Sequence, residues 1–120
     1  MRVVIVDERR EFFWDMYRDA LVDILPGYKK AKGIEIAERC MSAEVIIVDE
    51  IGSREEAEAI ESVGFGGVPI IASAHAGSLE QLLSKKHILS LVRSGYFKIF
   101  AGLYKDTLGA FRLRVDYREG

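Results

Sequence analysis

Glu44-Val45-Ile46-Ile47-Val48-Asp49-Glu50 decides how this 120-residue chain is read. Four consecutive β-branched residues stop on two acids, and an apolar run that short, bounded by charge, has the form of a strand buried on both faces of a parallel sheet. The same pattern recurs on either side. Upstream, Val3-Val4-Ile5-Val6 ends in Asp7-Glu8-Arg9; downstream, the apolar stretch 68–74 closes on Ser73-Ala74-His75. Helical spacing fills the intervals. Phe12, Phe13, Met16, Tyr17, Ala20, Leu21 and Ile24 predict an amphipathic helix stopped by Pro26-Gly27, and Ile34, Ile36, Ala37 and Met41 predict a second helix after Gly33. Ser53 with Glu56 three residues later is a capping box that opens a helix ending near Gly64. Residues 78–93 predict further helix, broken near Lys86, and residues 96–104 and 111–117 predict strands joined by a turn at 106–109. Strands alternating with helices give an α/β fold: a mostly parallel sheet, flanking helices and a C-terminal β-hairpin, expected as a single domain over residues 1–120.

Composition narrows the function. Hydrophobic residues make up 49% of the chain, enough for one core, and 17 Lys+Arg against 19 Asp+Glu leave a formal charge of −2, so no overall basic field favours nucleic acid. The charge is nonetheless uneven. Residues 44–61 carry seven acids against Arg54 alone, whereas the segment from Lys85 onward is mainly basic. Such runs commonly solvate a surface, the alternative being a basic docking face. The longest aliphatic runs are far shorter than a bilayer span, and an aspartate at position 7 leaves no room for the apolar part of a signal peptide, so the cytoplasm is the expected compartment. Cys40 is the single cysteine and is expected in the core. His87, beside Lys85 and Lys86, is expected at the surface. Trp14, Phe12, Phe13 and Tyr17 read as packing rather than a platform for bases, because no basic stripe runs among them.

In parallel sheets the ligand crevice lies outside the carboxyl ends of the strands, which makes the three strand ends the informative positions. Paired acids at two neighbouring ends repel unless a cation or a proton is handled there, and a divalent metal resolves this most simply. Successive strand side chains point to opposite faces, so Asp49 and Glu50 address one point only if the backbone has already begun to turn. The bland reading of the same residues is that acids solvate a strand end, that Glu8 opens a turn, and that His75 is a satisfied histidine among small residues.

The blocks MSAEVIIVDEIG (41–52), EEAEAI (55–60) and IIASAHAGSL (70–79), preceded by VIVDERRE (4–11), resemble the stage III sporulation protein AA family of P-loop ATPases, relatives of the type II and type IV secretion ATPases. The resemblance runs over residues 2–104, with 41–79 its specific part, and residues 26–33 match the segment before the family's second helix. It implies a P-loop core of the RecA-like kind, with Mg²⁺ and ATP as cofactors. By the same resemblance Asp49 is the metal-holding aspartate, Glu50 activates the water that attacks the γ-phosphate, and Glu8 supplies a second carboxylate. His75 corresponds to a γ-phosphate sensor, and Arg9, Arg54 and Ser73 to nucleotide contacts. Partners implied are further copies of the chain and a membrane-associated sporulation or secretion assembly that holds it at the inner membrane.

The sequence departs from the family at one decisive point. None of the 11 glycines is followed by lysine, so the phosphate-cradling G-x-x-x-x-G-K-[ST] pattern is not in this chain. Gly64-Phe65-Gly66-Gly67 is read as a turn, because a strand and not a helix follows it. The chain is therefore expected to be the carboxyl-terminal portion of an ATPase core without the P-loop strand, and inactive alone. Two alternatives stand beside this: a response-regulator receiver phosphorylated on Asp49, with Asp7-Glu8, Ser73 and Lys98 completing its set, and a P-loop-less docking or oligomerisation module. Without a P-loop strand beside it, the 68–74 strand would be a sheet edge, and the expectation is that residues 96–104, or a partner chain, pair there.

Overall fold

The computed structural model describes residues 1–11 and 22–117. Two compact units divide the chain, Met1–Ala74 and His75–Gly120.

In the first unit, β1 (Val3–Asp7), β2 (Val22–Pro26), α1 (Lys30–Cys40), β3 (Val45–Val48), α2 (Arg54–Phe65) and β4 (Ile70–Ala72) follow in order. The four strands form one parallel sheet ordered β2-β1-β3-β4. Its register places Val4 beside Ile46 and Ile46 beside Ile70, and Val6 beside Val48. These residues are all at most 8% exposed and form the core with Ile34, Ala37, Ile60 and Val63 of the helices. Helix α1 lies closest to Val6: a β-carbon on Gly33 would come within 2.5 Å of Val6 Cγ1, so only glycine lets helix and strand approach this far. The row on the opposite face, Ile5, Ile47 and Ile71, becomes progressively more exposed toward β4, from 3% at Ile5 to 61% at Ile71. Helix α2 begins at the predicted N-cap, Ser53 Oγ accepting from the Glu56 amide at 3.2 Å, while Glu56 Oε1 reaches one residue further back than a capping box requires and accepts from the Gly52 amide at 2.9 Å.

The second unit contains α3 (Leu79–Ser84), α4 (Lys86–Arg93) and the hairpin β5 (Ile99–Lys105) and β6 (Phe111–Tyr117). Lys85, between the helices, is extended (φ −75°, ψ 122°), which breaks the helical stretch where the sequence suggests. Ser78 Oγ caps α3 through the Gln81 amide at 3.1 Å. Among the described residues no helix is long and apolar enough to cross a membrane.

Four expectations need correction. Ile24 belongs to strand β2, not to the end of a helix; Val22-Asp23-Ile24-Leu25 is short and β-branched enough for either period, and β1 offers it a parallel ladder. The rest of the predicted helix, 12–21, lies outside the described residues. Residues 96–104 do not pair beside β4. From Ile99 onward they pair along their whole length with antiparallel β6, a partner reached by a short turn at little loop-closure cost, and β4 pairs with β3 alone among the described residues. Cys40 is exposed at the last turn of α1. His87 is half-buried, and its Nε2 finds no hydrogen-bond partner among the described residues.

Candidate functional site

Because β1, β3 and β4 are in register through Val6, Val48 and Ala72, the residues that follow them emerge together at one end of the sheet. Ser73 binds two of these ends directly. Its hydroxyl donates to Asp49 Oδ1 at 2.5 Å, the short distance of a hydrogen bond to a charged acceptor, and accepts the Glu50 amide at 2.9 Å. The ladder extends past the strands, with the Ser73 amide donating to Val48 O at 3.1 Å and the Ile51 amide to Ser73 O at 2.8 Å.

Glu50 has φ +57°, a left-handed conformation that costs a side chain with a β-carbon about 1–2 kcal/mol. Here the strand's alternation is broken. An extended residue 50 would send its side chain to the face opposite Asp49; the turn instead carries the Glu50 carboxylate toward the end of β1, where Oε2 pairs with Arg9 Nη1 at 2.7 Å. Arg9 is exposed, so this pair contributes little to stability, but it ties the loop after β1 to the loop after β3. Asp7 is only 4% exposed, and its Oδ1 accepts the Glu11 amide at 2.8 Å, which closes the turn after β1.

Lys30, the first residue of α1, completes the cluster. Its side chain is 10% exposed, and Nζ donates to the Glu50 carbonyl while lying 4.0 Å from Glu8 Oε2 and 3.9 Å from Glu56 Oε1. A shallow, open cleft lies among Asp7, Glu8, Arg9, Lys30, Asp49 and Glu50.

Glu8, Arg9, Asp49, Glu50 and Ser73 are thus brought together as the sequence suggests. Arg54 is not. It faces solvent on α2 and pairs with Glu58 at 2.9 Å. His75 opens the second unit, exposed, with its carbonyl accepting from Lys85 Nζ at 3.0 Å. Lys98 precedes β5, whose pairing is antiparallel, so it does not end a fifth parallel strand as the receiver arrangement requires. Lys30 escaped the sequence reading, although one signal was available: a lysine at the first helical position opposes the helix dipole and needs another reason to be there.

Among the described residues no three or more His, Cys, Asp or Glu side chains converge on a metal position. Asp49 presents its carboxylate to the cleft, with Oδ1 accepting from Ser73 Oγ. A strand-end carboxylate beside a cleft suits Mg²⁺, which keeps most of its waters and takes one or two protein carboxylates beside phosphate oxygens.

The family model for sporulation stage III, protein AA, matches residues 2–111. Stage III sporulation protein AA of Bacillus subtilis (strain 168) is 39% identical over 70 residues, which are 58% of this chain and 23% of that protein, so the match spans less than a quarter of the relative's length. Among solved structures, the ATPase DotB of Legionella pneumophila superposes with a TM-score of 0.66 over 98% of this chain and 36% of that one. At 15% identity this similarity shows a shared fold.

Proposed function

The chain belongs to the sporulation stage III protein AA family, and from that premise we propose that it is the carboxyl-terminal portion of the catalytic core of a Mg²⁺-dependent ATPase. What supports the reading is the gathering of Asp49, Glu50, Glu8 and Arg9 at adjoining ends of parallel strands, with Glu50 turned out of strand geometry toward the Asp7-Glu8-Arg9 loop. Asp49 would hold Mg²⁺, and bound Mg²⁺ would neutralise phosphate charge. Glu50 accepts the proton of the water that attacks the γ-phosphate, and Glu8 orients that water from the neighbouring strand end. Ser73 fixes Asp49. Arg9 stabilises charge on the phosphates, His75 senses the γ-phosphate, and Arg54, exposed on α2, reaches a nucleotide on an adjacent copy of an oligomer. The complete protein works in the cytoplasm against a membrane-associated assembly.

In the complete protein, Glu50→Gln is expected to lower kcat about 10²–10⁴-fold, the range for losing a general base, while nucleotide binding persists. This chain alone, without a phosphate cradle, should bind Mg-ATP more weakly than micromolar in titration calorimetry. Unchanged kcat in Glu50→Gln, or micromolar binding by the chain alone, overturns the reading.

A further inference from the structure

We propose that Lys30 is a positioning residue: it holds the Glu50 peptide in its left-handed turn and thereby sets where the Glu50 carboxylate points. A lysine in this place needs an explanation. Its side chain is 10% exposed, it opens a helix whose dipole it opposes, and Lys29 before it provides no side-chain cap. Neutralising acids is the ordinary explanation, but the distances argue against it. Had pairing with carboxylates shaped the site, Nζ would sit about 2.7–2.9 Å from one of them. Glu8 and Glu56 instead stand 4.0 and 3.9 Å away, and the close contact is with the uncharged carbonyl of Glu50.

That carbonyl belongs to the one residue of the cluster whose backbone is strained. Among the described residues, Ser73 Oγ holds the amide of Glu50 at φ +57°, Arg9 its carboxylate and Lys30 its carbonyl, and the Ile51 amide of that same peptide unit donates to Ser73 O at 2.8 Å. The first two anchors lie at the surface. Ser73 and Arg9 are exposed, and water competes for both. Of these side-chain anchors the Lys30 contact is the sheltered one, and a hydrogen bond from a charged donor in a sheltered place is the strongest of them. Without it the Ile51 amide still tethers the peptide, but the carbonyl loses its charged donor, the left-handed turn is held less firmly, and an extended residue 50 returns its side chain to the face away from Asp49. The bearing of this on hydrolysis rests on the role proposed above for Glu50; the bearing on backbone geometry does not.

The experiment reads φ of residue 50 directly. In NMR spectra of the full chain, φ near +60° eclipses the amide and α protons and gives an unusually strong intraresidue cross-peak between them. Lys30→Met should abolish that signature, Lys30→Arg should retain it, and Glu8→Gln or Glu56→Gln should leave it intact. If Lys30→Met does not fold, the measurement moves to K30M/E8Q/E56Q, which removes the acids left without a counter-charge. A folded Lys30→Met or triple variant with the signature unchanged overturns the proposal, and so does a triple variant that still fails to fold, since Lys30 would then be a general structural lysine. In the complete protein Lys30→Met should lower kcat by about tenfold or more with KM for ATP within about twofold, and Lys30→Arg should recover most of the loss. Lost φ signature with unchanged kcat in both Lys30→Met and Glu50→Gln leaves the positioning in place and overturns the catalytic reading of Glu50 instead.

Discussion

The two units of the chain both form regular strand ladders and bury their side chains very differently. In Met1–Ala74 the aliphatic residues of β1, β3, α1 and α2 lock into one core, with Val4, Ile34, Ile46 and Ile60 at 0% exposure. Among the described residues of His75–Gly120 only Ile88 and Leu91 are buried hydrophobics, whereas Leu103, Leu108, Phe111 and Leu113 are 61–91% exposed. Yet β5 and β6 form a complete seven-pair ladder from Ile99↔Tyr117 to Lys105↔Phe111. Hydrogen-bond pattern and turn chemistry suffice to shape a hairpin, but burial is what gives an element its stability, and a two-stranded ribbon is marginal in water by itself. The chemistry-bearing side chains emerge from the unit that has the core. Carboxylates and cations held at defined distances need strand ends that do not move, and the packed sheet provides them.

The largest effect should come from testing that contrast head-on. Ile34→Ala removes a fully buried side chain from beneath the sheet and should cost about 2–5 kcal/mol by urea unfolding. Leu103→Ala, at a residue 77% exposed, should stay within about 0.5 kcal/mol of the unsubstituted chain. Equal costs would mean that the hairpin is as firmly buried in solution as the sheet, and the contrast would fall.

Gly33→Ala sharpens the same contrast at a smaller scale. The added methyl meets Val6 Cγ1 at 2.5 Å, and Val6, 1% exposed, has nowhere to move. Overpacking of this kind costs about 1–3 kcal/mol, set against a gain of about 1 kcal/mol in helix propensity from replacing glycine. A net loss of stability is expected. A net gain would show that the space between α1 and β1 yields, and that the strand ends beside it are less rigid than the site requires.

The part of this geometry that is local in sequence was legible beforehand. Runs such as Val45-Ile46-Ile47-Val48 announce buried strands, Ser53 and Glu56 announce a capped helix, and parallel topology alone brings Asp49, Glu50, Ser73 and the Asp7-Glu8-Arg9 turn to one end of the sheet. Strand alternation lets Asp49 and Glu50 address one point only if the backbone turns, and Glu50 at φ +57° makes that turn. What could not be read depends on long-range contact. Lys30 lies 20 residues from the carbonyl it binds, and nothing within its own helix predicts that partner. Strand β2 exists because β1 pairs with it, whereas its five residues taken alone suit the tail of a helix equally well. The hairpin took residues 99–105 away from β4 because the choice of partner is a competition between ladders, and periodicity says only that a strand forms.

The smallest effect belongs to the turn of that hairpin, where Asp106 does the work that packing does in the sheet. Its Oδ1 accepts the amides of Leu108 at 2.9 Å and Ala110 at 3.0 Å, and its Oδ2 pairs with Arg112 Nε at 2.9 Å. The Arg112 guanidinium first, then the Ala110 amide, hold the carboxyl below its ordinary value of 3.8 against an upward push from burial, with the Leu108 amide adding least. A carboxyl whose pKa is depressed by folding contributes its stabilisation fully above the unfolded value and loses it as pH falls through the folded one. The turn should therefore be intact at neutral pH and loosen only in acid below about 3.8, with faster exchange of the Leu108 and Ala110 amides, while the amides of β1 and β3 stay protected over the same range. Because the turn lies at the surface, added salt should shrink the effect by screening Arg112 from Asp106. Asp106→Asn keeps an acceptor for the two amides and removes the titration, so the acid sensitivity of the turn should vanish with the turn itself preserved. An Asp106 carboxyl that titrates at or above 3.8 by NMR would show that the hairpin is not held at its turn in this way, and the stability of the second unit would have to come from burial after all.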